Sequence, residues 1–301
     1  MLGRSSLERV VKAVGLLSSI TSLNQRRLRG LVPDVAEGQT IPRCFYQTHS
    51  NSALPEPVLA NRAHIRALNP GWRFEFFDGE QRRAFIDAEY GPDILSYYDA
   101  IDETYGASRA DLFRYLLIYR TGGIYLDVKS SARIPFDDML RPDDRYVLAV
   151  WDRAELDTQG WGEHAELAAA GTPEYQQWHI IAAAGHPLLK AVIERVLHNI
   201  AAYVPTLHGT GRFGVLRLTG PIAYTLAITG TDTPAPYRLA GSNTDLGLVY
   251  SIYADARAHR ATTGAHYSQL DVPLTTLDTS RRLIDAGARL ARAGYRMIRR
   301  A

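Results

Sequence analysis

The chain is poor in cysteine, in net charge and in long apolar runs, and each shortage removes a class of protein. Cys44 is the only cysteine among 301 residues, so an intrachain disulfide and a cysteine-rich zinc site are both excluded. Within the segment Cys44-Phe45-Tyr46 it reads as a core thiol. The 34 basic and 32 acidic residues leave a net charge of only +2, which argues against nonspecific nucleic-acid binding as the main activity. No stretch reaches the ~18–20 uninterrupted apolar residues that span a bilayer, and Glu8 and Lys12 break anything resembling a signal peptide's apolar region. Gly122-Gly123 is too short for a P-loop or a dinucleotide fingerprint, and Gly211 to Gly214 fits neither spacing. No serine, cysteine or paired-carboxylate constellation marks a hydrolase. Internal repeats, coiled coils and low-complexity segments are also missing.

What remains is an ordinary globular composition, 46% hydrophobic and 22% charged, long enough for one large domain with helical additions. Ile41 to Gln47 has the character of a first buried strand. Pro57 to Leu68 has helical periodicity and stops at Asn69-Pro70-Gly71, and Trp72 to Phe76 alternates like a strand. Gly79 to Tyr90 and Pro92 to Tyr105 read as two helical segments. Tyr146 to Trp151, Ile180 to Ala184, Arg238 to Ala240 and Leu248 to Tyr253 are further strand candidates, with a long helix over Leu188 to Tyr203. Pro221 suits the first position of another helix, after Thr219-Gly220. Alternating elements of this kind predict an α/β fold with a parallel or mixed sheet covered on both faces.

The most informative segment is Thr121-Gly122-Gly123-Ile124-Tyr125-Leu126-Asp127-Val128-Lys129. It delivers a carboxylate to the end of a short strand directly after a helix stop, the place where α/β folds bind ligands. Upstream, Ser108 to Arg120 reads as an amphipathic helix with Leu112, Tyr115, Leu116 and Tyr119 at 3-4 spacing. Asp111 and Arg114 then share one face. Tyr125 points to the same sheet face as Asp127, either beside a ligand or into the core.

The run from Ala107 to Val128, with Ile41 to His49 and Thr219-Gly220-Pro221, resembles the sugar-binding region of glycosyltransferase family 32. That family holds fungal mannosyltransferases and bacterial capsule and lipopolysaccharide transferases. The resemblance covers roughly residues 40 to 270. It implies a GT-A-type, Rossmann-like mixed sheet covered by helices on both faces, and a retaining transferase that moves a hexose from a nucleotide-diphosphate sugar to a saccharide or lipid-linked acceptor in surface polysaccharide synthesis. It assigns Asp111, Arg114 and Asp127 to catalysis. Gln47, Thr48, Gly122, Gly123, Tyr125, Lys129 and His266 are expected at the donor. A non-catalytic nucleotide-sugar or glycan binder on the same scaffold is the alternative.

The family's Asp-x-Asp is Asp127-Val128-Lys129 here, an ammonium where a metal-binding carboxylate normally stands. Two readings follow. Lys129 replaces Mn²⁺ or Mg²⁺ as the positive charge near the diphosphate, or it points to solvent while Asp127 keeps a metal with His259, His266 or Asp271, of which His266 is the best candidate. Trp72 reads as core or as a base-stacking ring, and Thr219-Gly220-Pro221 as a helix start facing an anion or as a turn.

The expected division is a basic helical extension over 1–38, the transferase domain over 39–275 and a basic amphipathic helix over 276–301. Residues 281 to 300 carry Arg281, Arg282, Arg289, Arg292, Arg296, Arg299 and Arg300 against Asp285 alone. Such ends either lie on an anionic membrane or pack on the domain with their arginines in water. A cytoplasmic location is expected, peripheral on the inner membrane face in the first case.

Overall fold

The computed structural model describes Leu28 and residues 30–152, 160–253 and 267–300, with side chains described up to residue 293, Tyr267 excepted. Most of the 1–38 extension, His259 and His266 therefore lie outside the described residues.

Among the described residues a six-stranded sheet runs through the chain. Its strands are β1 (Cys44–Thr48), β2 (Arg73–Phe77), β3 (Gly123–Leu126), β5 (Tyr146–Val150), β6 (His179–Ala182) and β7 (Arg238–Ser242), in the spatial order β2-β1-β3-β6-β5-β7. β1 is parallel to β2 and β3, β6 is antiparallel to β3 and β5, and β7 closes the edge parallel to β5. The mixed sheet is thus the α/β architecture expected from the sequence. A second, two-stranded ribbon pairs β4 (Ser131–Ala132) with β8 (Leu248–Val249), so only the start of the Leu248 to Tyr253 segment is strand.

Strand periodicity divides the core in two. Tyr46, Tyr125, Tyr146, Leu148, Ile180 and Ala182 face one apolar cluster, shared with α2 (Gly79–Ala100), α3 (Gly106–Thr121), α6 (Pro187–Ala202) and α9 (Pro221–Thr229). Their neighbours Phe45, Ile124, Leu126, Val147 and Ile181 face the other, closed by Ile65 of α1 (Glu56–Leu68), Trp72, and Phe136 and Met139 of α4 (Phe136–Met139). Helices therefore cover both faces. Trp72 is core: its indole packs edge-on to Phe136 and donates to Asp137 Oδ1 at 3.2 Å.

The two helical segments foreseen over 79–105 form one kinked α2. A reciprocal cap starts it, Asp78 Oδ1 accepting from the Gln81 N–H while Gln81 Oε1 accepts from the Asp78 N–H. Gly91, at φ 75°, and Pro92 break it midway. Helix α3 departs from expectation more sharply. Its sequence suggested one wet face, yet every residue from Asp111 to Tyr119 is buried, because it runs between the sheet, α2 and α6. The Asp111/Arg114 pair is consequently in the interior rather than in water.

The short helices α5 (Ala165–Ala169), α7 (Pro205–His208) and α8 (Gly211–Leu218) complete the shell, and α10 (Thr279–Arg300) runs last. Near its start α10 docks on the body: buried Asp285 accepts from the Thr206 N–H at 2.8 Å and Arg281 donates to the Ile200 carbonyl at 3.0 Å.

Candidate active site

Strand β3 ends at Leu126, and the chain leaves the sheet at Asp127 into a cavity of about 770 Å³. Asp111, Arg114, Tyr125, Asp127 and Lys129 all line it, as does Thr48 at the end of β1. The Arg114 guanidinium is the hub. Its Nη2 lies 2.9 Å from Asp111 Oδ1 and its Nη1 lies 3.2 Å from Asp127 Oδ1. Nη1 also donates to the Gln177 carbonyl at 2.7 Å, and the group sits 4.9 Å from the Tyr125 ring centre. Helix and strand tip converge as the spacing suggested.

The two acids are not equivalent. Asp111 is only 3% exposed and already engaged: Oδ2 accepts from the Thr219 hydroxyl at 2.8 Å, and Oδ1 from Gln177 Nε2 at 3.3 Å. Asp127 keeps a 24% exposed side chain, and Arg114 and the Tyr125 hydroxyl, the latter at 3.1 Å, both contact its Oδ1. Asp127 is therefore the acid more open to the cavity. Burial pushes the Asp111 carboxyl up, against the pull of Arg114 and Thr219. Burial also works against the Arg114 charge, but Asp127, Tyr125 and Asp111 outweigh it and hold the guanidinium above the ordinary arginine value. Beneath them His179 is buried, its Nδ1 has no partner, and burial together with Arg114 lowers its pKa to about 3.

Other expected residues have different roles. Gln47 does not line the cavity: fully buried, it donates from Nε2 to the Asp127 carbonyl at 3.4 Å and accepts from Arg62 at 2.9 Å, bracing the strand tip from behind. Gly122, which caps α3, and Gly123, which starts β3, lie at the end of the strand remote from Asp127 and outside the cavity lining. Both have positive φ, and a Cβ would come within 2.7 Å of the Ala184 N–H nitrogen or 2.6 Å of the Cys44 carbonyl oxygen. They fit the helix-to-strand turn. Thr219 holds Asp111, while Gly220 and Pro221 reach the cavity wall.

Lys129 is half-buried in the cavity lining and reaches Tyr250. Its Nζ donates to the Tyr250 hydroxyl at 2.7 Å, with Nζ 4.1 Å from that ring's centre. No group of three His, Cys, Asp or Glu side chains able to hold a metal forms among the described residues. Asp127 shares one carboxylate oxygen with a guanidinium and precedes an ammonium. The described residues beside it do not by themselves supply the several oxygen ligands that a divalent metal takes. Asp271 is exposed and outside the cavity lining, and His266 is not among the described residues.

Several cavity residues carry no sequence motif. Arg82 on α2 lines it, 3% exposed, with an Nε that has no hydrogen-bond partner and burial that lowers its pKa. Beside it Gly106 and Ala107 open helix α3, whose N-cap residue Tyr105 makes no side-chain cap. Trp151, Trp161, His164, Glu174, Trp178 and Tyr250 build another part of the wall. Three of the four tryptophans falling between 151 and 178 was the one available signal.

Residues 55–146, which hold α1 through β3 and Asp127, match the family model for the glycosyltransferase sugar-binding region containing the DXD motif. The inositol phosphoceramide mannosyltransferase 3 of Schizosaccharomyces pombe is 31% identical over 104 residues, 35% of this chain and 28% of that protein. The initiation-specific alpha-1,6-mannosyltransferase of the same organism is 26% identical over 201 residues, 62% of this chain and 48% of that one. Its Candida albicans counterpart is 24% identical over 173 residues, 53% and 43% of the two chains. The chain thus spans between about a quarter and a half of these relatives' lengths. Among solved structures, the PaToxG glycosyltransferase superposes on 93% of this chain and 95% of its own at 14% identity and a TM-score of 0.42. Residues 55–146 thus carry a glycosyltransferase sugar-binding region, and the family-32 resemblance seen at Ala107 to Val128 is borne out by the family model and the mannosyltransferase relatives.

Proposed function

We propose that the chain moves a hexose from a nucleotide-diphosphate sugar to a saccharide or lipid-linked acceptor, with retention, in surface polysaccharide synthesis. The observation that carries this is the Asp111–Arg114–Asp127 cluster lining the cavity, with Asp111 and Arg114 buried and Asp127 partly open. Asp127 would accept hydroxyls of the donor's sugar and ribose, with Tyr125 and Arg114 fixing its direction. Asp111, closed in by Thr219 and Gln177, would hold Arg114 in place, so that a permanent positive charge meets the developing negative charge of the departing diphosphate. The unpartnered Arg82 Nε and the uncapped start of α3 support a donor nucleotide at that end, since both offer hydrogen-bond donors to oxygen.

In this reading the leaving group is neutralised by the chain's own cations, Arg114 and Lys129, in place of Mn²⁺ or Mg²⁺. The decisive assay offers a panel of UDP- and GDP-sugars, with Mn²⁺ or with chelator, and reads released nucleotide and transferred sugar by mass spectrometry. Turnover that persists in chelator is expected, and Asp127→Ala should abolish it while circular dichroism stays native. A folded Asp127→Ala protein with near-normal turnover sinks the site assignment. Saturable donor binding without turnover in the parent chain would favour the non-catalytic binder, the reading that the missing second carboxylate supports.

The acceptor's location is a linked proposal. On α10, Leu283 and Leu290 stand one heptad apart and are 64% and 61% exposed amid arginines. That face suits an anionic membrane surface, and a peripheral position on the inner membrane face follows if the acceptor is lipid-linked.

A further inference from the structure

One wall of the cavity is made of rings. Trp151, Trp161 and Tyr250 meet pairwise edge to face, with centroids 5.0, 5.2 and 5.2 Å apart, and Trp178 joins Tyr250 at 5.5 Å. Trp151 and Trp161 are half-buried, so part of each ring is open to the cavity. Behind them lies a polar anchor. Buried Glu174 accepts from the Trp151 indole N–H at 2.6 Å and pairs with His164 Nε2 at 2.8 Å. Gly162, at φ 76°, leaves no room for a side chain: a Cβ would fall 2.8 Å from Trp151 and 3.0 Å from Glu174. The turn carrying Trp161 is therefore pressed onto Trp151, and the rings are held before any ligand arrives.

Two features say that this wall is a binding surface. Large aromatics of a core bury their faces completely, whereas Trp151, held by a buried carboxylate, and Trp161 are left half-open to the cavity that Asp127 also lines. The Trp178 indole N–H, buried in the same wall, finds no hydrogen-bond partner. Aromatic plates edged by polar groups match the amphiphilic pyranose ring, which offers a C–H face to a π surface and hydroxyls around its rim. A nucleobase could also stack, but the hydrogen-bond donors suited to a nucleotide gather at Arg82 and the start of α3 instead.

We propose that Trp151, Trp161 and Tyr250 form the acceptor subsite, taking one pyranose ring of the acceptor by its C–H face and presenting its hydroxyl rim toward Asp127. The proposal rests on the transferase reading above and names the substrate class of its second half. Lys129 connects the two regions: it lies two residues beyond Asp127 and donates to the Tyr250 hydroxyl.

The test is saturation-transfer NMR on the full chain with methyl α- and β-pyranosides of mannose, glucose and galactose, in the presence of UDP or GDP. At least one pyranoside should receive saturation concentrated on one face of its ring. Trp161→Ala should weaken that binding by ~10-fold or more, as expected for loss of an aromatic stacking partner, while Trp161→Phe keeps most of it. Circular dichroism checks that both variants fold. Three results overturn the proposal: no pyranoside binding to the parent chain, equal binding to Trp161→Ala, or nucleotide affinity falling as far as pyranoside affinity in that variant. Pyranoside binding on the wall in a chain that turns over no donor would instead retire the transferase reading and leave the subsite standing.

Discussion

Replacing Arg114 by methionine probes the centre of the site, because it removes the one cation that two carboxylates share. Methionine has similar length and fills the space between α3 and the Gln177 carbonyl, so the main loss is electrostatic. Asp127 can turn part of its carboxylate to the cavity water; Asp111, 3% exposed, cannot. Its remaining partners are the Thr219 hydroxyl and the Gln177 amide. Stranding a buried charge by removing one partner costs ~3–5 kcal/mol, a large part of the ~5–15 kcal/mol that typically separates folded from unfolded chains. The cost should depend on pH, with a definite sign. Burial already raises the Asp111 pKa, and without the guanidinium it rises further. The folded variant then takes up a proton at a pH where the unfolded chain, with an aspartate near ~3.9, does not. The penalty is complete above the raised folded value and is relieved as pH falls through it. Urea denaturation of the parent and Arg114→Met chains at pH 8 and pH 5 should therefore show the larger gap at pH 8. Adding Asp111→Asn should recover most of the loss, since an amide needs only Thr219 and Gln177. A loss below ~1 kcal/mol at both pH values, or a double variant no more stable than the single one, would refute the claim that Asp111 depends on Arg114.

Two further outcomes are expected. His179, held near a pKa of about 3, stays neutral in the fold while the unfolded chain takes up a proton below ~6.5, so stability is full above that pH and drains away by up to ~1.4 kcal/mol per unit as pH falls toward 3. His179→Gln should flatten this part of the stability profile between pH 7 and 4.5, and an unchanged difference between the two chains across that range counts against it. Flotation with vesicles should recover the chain on anionic phosphatidylglycerol membranes and not on phosphatidylcholine, with Leu283→Asp/Leu290→Asp reducing the bound fraction several-fold; equal recovery on both lipids contradicts the role given to α10.

Strong local chemistry made part of this molecule readable in advance. A glycine pair after a helical run, a strand of alternating Ile124, Tyr125 and Leu126, and an acid at its end sufficed to bring Asp111, Arg114 and Asp127 together on paper, and they meet within hydrogen-bonding distance. The Gly91-Pro92 break in α2 was visible for the same reason, as a backbone constraint carried by the residues themselves. Burial was harder to foresee. Helix α3 has polar residues at regular spacing, and only the helices packed around it turn Asp111 and Arg114 inward. Gln47 was placed at the right strand end but on the wrong side of it, a choice of one residue in register between touching a ligand and bracing the acid. The ring wall and Arg82 were out of reach, since Trp151, Trp161, Tyr250 and Arg82 come from separate segments with no spacing rule to join them.

The small ribbon of β4 and β8 has a mechanical consequence. It staples the loop after Asp127 to the segment bearing Tyr250, and two further bonds tighten the seam: the Ile252 N–H to the Lys129 carbonyl at 2.8 Å, and the Ser130 hydroxyl to the Tyr250 carbonyl at 2.8 Å. Asp127 and Tyr250 are accordingly joined across one hydrogen-bonded seam. A displacement of the segment bearing Tyr250 would therefore pull, through these bonds, on the turn that follows Asp127.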